Sequence, residues 1–78
     1  MAIASKIKAL LALKGKDHAG LAAHLGIQSQ ALSNKFYRDS FSAEDLIRIA
    51  DYLGCPLAFV SDDGTQIVLD KSDLKPKD

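Results

Sequence analysis

A chain of 78 residues has room for one domain, and a domain this small buries only ~60% of its unfolded surface; many such domains fold alone and others gain stability from a partner. An apolar content of 47% argues against disorder, the single cysteine, Cys55, excludes an internal disulfide, and no apolar run reaches spanning length or resembles a signal peptide, because Lys6 and Lys8 interrupt the first one. The expectation is a soluble, cytoplasmic protein. Net charge is zero, but residues 1–38 carry Lys6, Lys8, Lys14, Lys16, Lys35 and Arg38 against Asp17 alone, whereas residues 39–78 carry four cations against nine acids. Such a division points to a polyanion as partner of the first half.

Residues 2–14, AIASKIKALLALK, set Ile3, Ile7, Leu10 and Leu11 at helical spacing, with Lys6, Lys8 and Lys14 off that stripe, and Gly15 ends this first helix. Asp17 is a suitable N-cap for the second, which holds Leu21, Ala22 and Leu25 and stops at Gly26. Gly20 lies inside it at a cost of about 1 kcal/mol relative to alanine, which is tolerated where another helix packs close. The third helix is predicted from about Gln28 to Tyr37. Leu32 and Phe36, one turn apart, face inward with Ala31 beside them. Ser29, Gln30, Ser33 and Asn34 lie on the other side, Tyr37 is expected to be partly buried, and Arg38-Asp39-Ser40 forms the following loop.

Phe41-Ser42-Ala43-Glu44-Asp45-Leu46 announces the fourth helix. Ser42 is its N-cap, Asp45 completes a capping box, and Phe41 and Leu46 have the spacing of a hydrophobic staple. Leu46, Ile49, Ala50 and Leu53 make the inward stripe, and Gly54 and Pro56 close the helix. The period then changes. LAFV (57–60) and TQIVL (65–69) are short β-rich runs around Asp62-Asp63-Gly64, a hairpin signal. The expected organisation is a helix-turn-helix domain over residues 1–56, a hairpin of the same domain over 57–70, and a polar tail over 71–78, loose beyond Leu74.

Two helices joined by so short a link make a helix-turn-helix. The frame Leu21-Ala22, Leu25-Gly26-Ile27 and Leu32-Ser33, followed by FSAEDLIRIADYLGC as the fourth helix, resembles the Cro-like, phage-repressor class of DNA-binding domains, also called XRE. The resemblance covers residues 3–60 and implies a mainly α, lambda-repressor-like four-helix fold, here with a C-terminal β-hairpin. It further implies a cytoplasmic transcription regulator or repressor whose third helix lies in the major groove of double-stranded DNA. Mapped onto this chain, the base-reading residues are Gln28, Ser29, Gln30, Ser33 and Asn34, since glutamine and asparagine can bond adenine N6 and N7 together. Gln28 and Ser29 could also serve as N-caps. Lys35 and Arg38 are expected at phosphates, as is His18, with Lys14 and Lys16 as further candidates. His18 stands where family members commonly carry a phosphate-touching glutamine, and Asp17 where threonine or serine is usual, so this anchor is expected to be altered.

A lone two-stranded hairpin is scarcely stable in water. If Leu57, Phe59, Ile67 and Leu69 face the helices, Val60 and Val68 remain outward as an apolar edge. A homodimer is therefore expected through Phe59, Val60, Ile67 and Val68, with a palindromic DNA site to match. The alternative is the same fold used as a protein-interaction module or antitoxin-type partner through its acidic second half, which gains if the cations do not converge on the third helix. No enzyme, cofactor or metal site is expected. His18 and His24 point to different helix faces, Cys55 has no second thiol, and there is no phosphate-binding glycine loop.

Overall fold

The computed structural model describes residues 2–74. Four helices come first: α1 (Ile3–Leu13), α2 (His18–Leu25), α3 (Ser29–Arg38) and α4 (Ala43–Leu53). An antiparallel pair follows, β1 (Leu57–Val60) and β2 (Gln66–Leu69), and then a single 3-10 turn over Lys71–Asp73. The boundaries follow the local chemistry. Asp17 caps α2 by accepting from the Gly20 amide at 2.7 Å. Ser42 and Asp45 form the reciprocal capping box, Ser42 Oγ accepting from the Asp45 amide at 3.1 Å and the Asp45 carboxylate from the Ser42 amide at 3.0 Å. Between α2 and α3, Gly26 takes the left-handed backbone (φ 72°, ψ 29°) that a Cβ would oppose. Gly26 and Ile27 donate back to the carbonyls of Ala23 and Ala22, which makes the link short.

The core is built from one stripe of each helix. Ala4, Ile7 and Leu11 of α1, Leu21 and Ala22 of α2, Leu32 and Phe36 of α3, and Ile49 and Leu53 of α4 are buried together. Leu21 and Leu32 are fully enclosed, so the two helices of the helix-turn-helix lock through one leucine each. Ile27 packs half-buried against this cluster, as a plug between them. Ile7, Leu10 and Leu11 face inward as the α1 stripe predicts, but its first position is Ala4, which is buried, and not Ile3, which is exposed. Ala31, expected beside Leu32, is exposed as well.

Gly20 is explained by α4. A Cβ there would run into the Tyr52 hydroxyl and approach the Asp17 carboxylate to 2.9 Å, so glycine allows the close approach of α2 and α4. Ile47 was outside the predicted α4 stripe and is nevertheless buried. It faces the hairpin, so α4 has a second apolar side.

The hairpin pairs Leu57 with Leu69 and Phe59 with Ile67, which puts these four side chains on one face, as the alternation predicts. Only the end near α4 is covered, however. Leu57 and Leu69 are half-buried, with Ala43, Leu46 and Ile47 beside them in an apolar crevice. Phe59, at the outer edge of that crevice, stays 70% exposed, and Ile67 opposite it 65%, so neither is covered by the helices as the alternation led one to expect. Asp70 caps the 3-10 turn, which returns to α4 through Lys71 and Asp51 (3.5 Å). The stretch expected to be a plain polar tail is thus structured over 71–73, and residues 75–78 lie outside the described part.

Candidate nucleic-acid interface

The amphipathic division of α3 creates the surface of interest. Leu32 and Phe36 turn into the core and fix the helix rotation, which leaves Ser29, Gln30, Ser33, Asn34 and Tyr37 outward. All five are exposed, as is Gln28 immediately before the helix. Gln28 occupies the N-cap position with extended backbone, but its side chain makes no capping bond and remains available. Gln30 Nε2 donates to Asn34 Oδ1 at 3.4 Å across one turn. That bond leaves Gln30 Oε1 as acceptor and Asn34 Nδ2 as donor toward whatever faces the helix. Tyr37 is 91% exposed, contrary to the partial burial expected, because Phe36 takes the inward place and the next residue must project outward.

The cations divide unequally. Lys35 lies on α3, but its ammonium donates to Asp45 Oδ2 at 3.0 Å, which ties α3 to the start of α4 and neutralises the charge locally. Partial burial pushes the Asp45 carboxyl up, yet the Ser42 amide and Lys35 outweigh it and hold the group below its ordinary value. Arg38, at the last turn of α3, is exposed and makes no ion pair among the described residues. Lys16 is drawn onto the Tyr52 ring, 5.1 Å from its centroid. Lys8 is the cation that sequence reasoning passed over. Its ammonium lies 5.5 Å from the centroid of the Phe36 ring, beside α3.

His18 leans inward over α3. Its Nε2 lies 3.2 Å from the Ser29 carbonyl and 3.3 Å from Ser33 Oγ, and its ring packs on Phe36 at 5.6 Å. His18, the side chain expected at a phosphate, thus braces α2 against α3. His24 pairs with Asp51 at 3.1 Å on the far side, away from His18.

Asp39 is the second residue without a local signature. It ends α3 in the left-handed region (φ 54°), and its carboxylate accepts from the amides of Ala4 (2.6 Å) and Ile3 (3.2 Å). It supplies the cap that Ala2 cannot. The one signal in the sequence was negative: a first helix with no Ser, Thr, Asp or Asn ahead of it must find its cap elsewhere.

Residues 4–64 match the family model described as the bacteriophage CI repressor helix-turn-helix domain. The chain belongs to this family. As a phage-repressor helix-turn-helix domain it is a DNA-binding regulator. No curated protein and no solved structure matches the repressor-type chain. Among its described residues no helix is long and apolar enough to cross a membrane, and no three His, Cys, Asp or Glu side chains are grouped to hold a metal.

Proposed function

We propose that the protein regulates transcription by binding specific double-stranded DNA, with the outward face of α3 in the major groove. The observation that carries this reading is the composition of that face. Gln28, Ser29, Gln30, Ser33 and Asn34 are all exposed, α3 carries no acid, and no part of the described chain covers them. Small amides and hydroxyls of this kind can bond base edges, and a glutamine or asparagine can pair twice with adenine. The bond between Gln30 and Asn34 reduces the rotamer freedom that contact with DNA would otherwise cost. Arg38 supplies charge at a phosphate, which sets position without reading sequence. Lys35 is held by Asp45 and serves first to brace α3.

Two copies joined through the hairpin complete the reading. Phe59 and Ile67 (70 and 65% exposed) on one face and Val60 and Val68 (66 and 48%) on the other leave both faces of the hairpin's far end apolar, on a two-stranded element that is marginal alone. Pairing hairpins about a twofold axis would cover it and present two α3 helices ~34 Å apart to a palindromic site.

Selection from a pool of random duplexes tests the proposal. An enriched sequence is expected, and Gln30→Ala or Asn34→Ala should lose about 1–3 kcal/mol of discrimination each at the bases they read, with unchanged salt dependence. No enrichment, or full selectivity in both variants, would overturn it. An exposed apolar hairpin also suits a partner of different sequence, but that use of the fold leaves the α3 face unexplained.

A further inference from the structure

Beside the outward face of α3 is a cleft of about 330 Å³ lined by Lys8, His18, Ser33, Phe36 and Tyr37. Three helices build it: Lys8 comes from α1, His18 from α2, and the others from α3. Its chemistry is one-sided. No carboxylate lines it, and Lys8 has no acidic partner among the described residues. The Phe36 ring holds the Lys8 ammonium near its face, which localises a flexible cation without neutralising it. Ser33 and Tyr37, one turn apart on α3, bring hydroxyls that can donate. His18 forms a wall: its Nε2 donates to the Ser29 carbonyl and lies 3.3 Å from Ser33 Oγ, which as a neighbouring acceptor keeps its own hydroxyl hydrogen free. One unneutralised cation and two hydroxyl-bearing side chains line this open, acid-free recess, and these are the groups a single phosphate diester needs.

We propose that this cleft seats one backbone phosphate of the bound DNA, with Lys8 Nζ supplying the charge and the Ser33 and Tyr37 hydroxyls the hydrogen bonds, Ser33 serving the phosphate in place of a base edge. The inference rests on α3 lying in the major groove, because the strand bordering that groove then passes the edge where Ser33 and Tyr37 project. It gives α1 a direct part in binding. It also explains how the domain can hold DNA although His18 is turned toward α3 and Lys35 is committed to Asp45.

The test is fluorescence anisotropy with a labelled duplex that the wild-type protein has selected from the random pool, measured across a salt series. Each phosphate contact contributes about 0.9 to the slope of log K against log salt. Lys8→Gln is expected to lower the slope by about that amount, and Lys8→Arg to retain it. Tyr37→Phe should weaken binding a few-fold without changing the slope. Lys6→Gln, an exposed change on α1 outside the cleft, should leave the slope at the wild-type value. Lys8 is exposed, and thermal unfolding checks that each variant keeps the wild-type fold. An unchanged slope in Lys8→Gln, or an equal fall in Lys6→Gln, overturns the phosphate site. In that case a duplex still read by Gln30 and Asn34 leaves the recognition proposal standing. Failure of the wild type to select any duplex sinks both.

Discussion

Asp39 offers the most direct test of how the domain is held together. Its carboxylate caps the first two amides of α1 from a left-handed backbone at the end of α3. Asp39→Ala removes both bonds and places a Cβ-bearing residue without local hydrogen bonding in that backbone. Loss of a cap costs ~1 kcal/mol, and the left-handed conformation adds roughly another. For a domain of this size each kcal/mol lowers Tm by about 4–8 °C, so a fall of around 10 °C is expected. Asp39→Gly keeps the backbone and loses only the cap, about 1 kcal/mol. Asp39→Asn keeps tolerance of the left-handed region and one oxygen acceptor but loses the second bond and the charge at the positive helix end, so it should fall between wild type and the alanine variant, at about 1 kcal/mol. Thermal and urea unfolding give the order, and hydrogen exchange at the Ile3 and Ala4 amides reports the cap itself. A glycine variant at least as stable as wild type, with unchanged exchange at those amides, would refute the reasoning.

Gly20→Ala should destabilise despite the helix propensity of alanine, because the added Cβ meets the Tyr52 hydroxyl; overpacking costs about 1–3 kcal/mol, and in a Tyr52→Phe background the penalty should shrink by roughly 1 kcal/mol, a difference that urea titration resolves. The Asp45 carboxyl is held below its ordinary value of 3.8, so its contribution to stability is complete above that pH and is lost as pH falls through the lower folded value. Urea midpoints measured downward from pH 3.8 should therefore fall, and Asp45→Asn should remove that part of the decline. Val60→Lys combined with Val68→Lys should halve the sedimenting mass with the helical circular dichroism intact, and an unchanged mass would remove the hairpin interface.

The elements were legible wherever their chemistry is local. The capping box of Ser42 and Asp45, the Asp17 cap and the turn at Gly26 each lie within a few residues and appear as predicted. The alternation of Leu57, Phe59, Ile67 and Leu69 gave the right faces of the hairpin but not their cover, since how far a strand overhangs a helix depends on where the helix stops. Ile47 was missed because a single-stripe reading allows α4 only one neighbour. The outward residues of α3 followed from the places of Leu32 and Phe36. Contacts across long sequence separations were not legible. Lys35 with Asp45, Lys8 over Phe36, and His18 against the Ser29 carbonyl each join different helices, and residue type alone gives no pairing. A count of positive charge therefore shows neither that Asp45 braces Lys35 nor that Lys8 lies over Phe36.

The tie between Asp39 and α1 also bears on synthesis. α1 is 11 residues long, its own N-cap position is Ala2, and an isolated helix shorter than about 12–15 residues is marginal in water. While the chain leaves the ribosome, that first segment emerges early but has nothing to close its end until residue 39 is in reach. Its helicity therefore depends on contact with the end of α3 rather than on its own flanking residues.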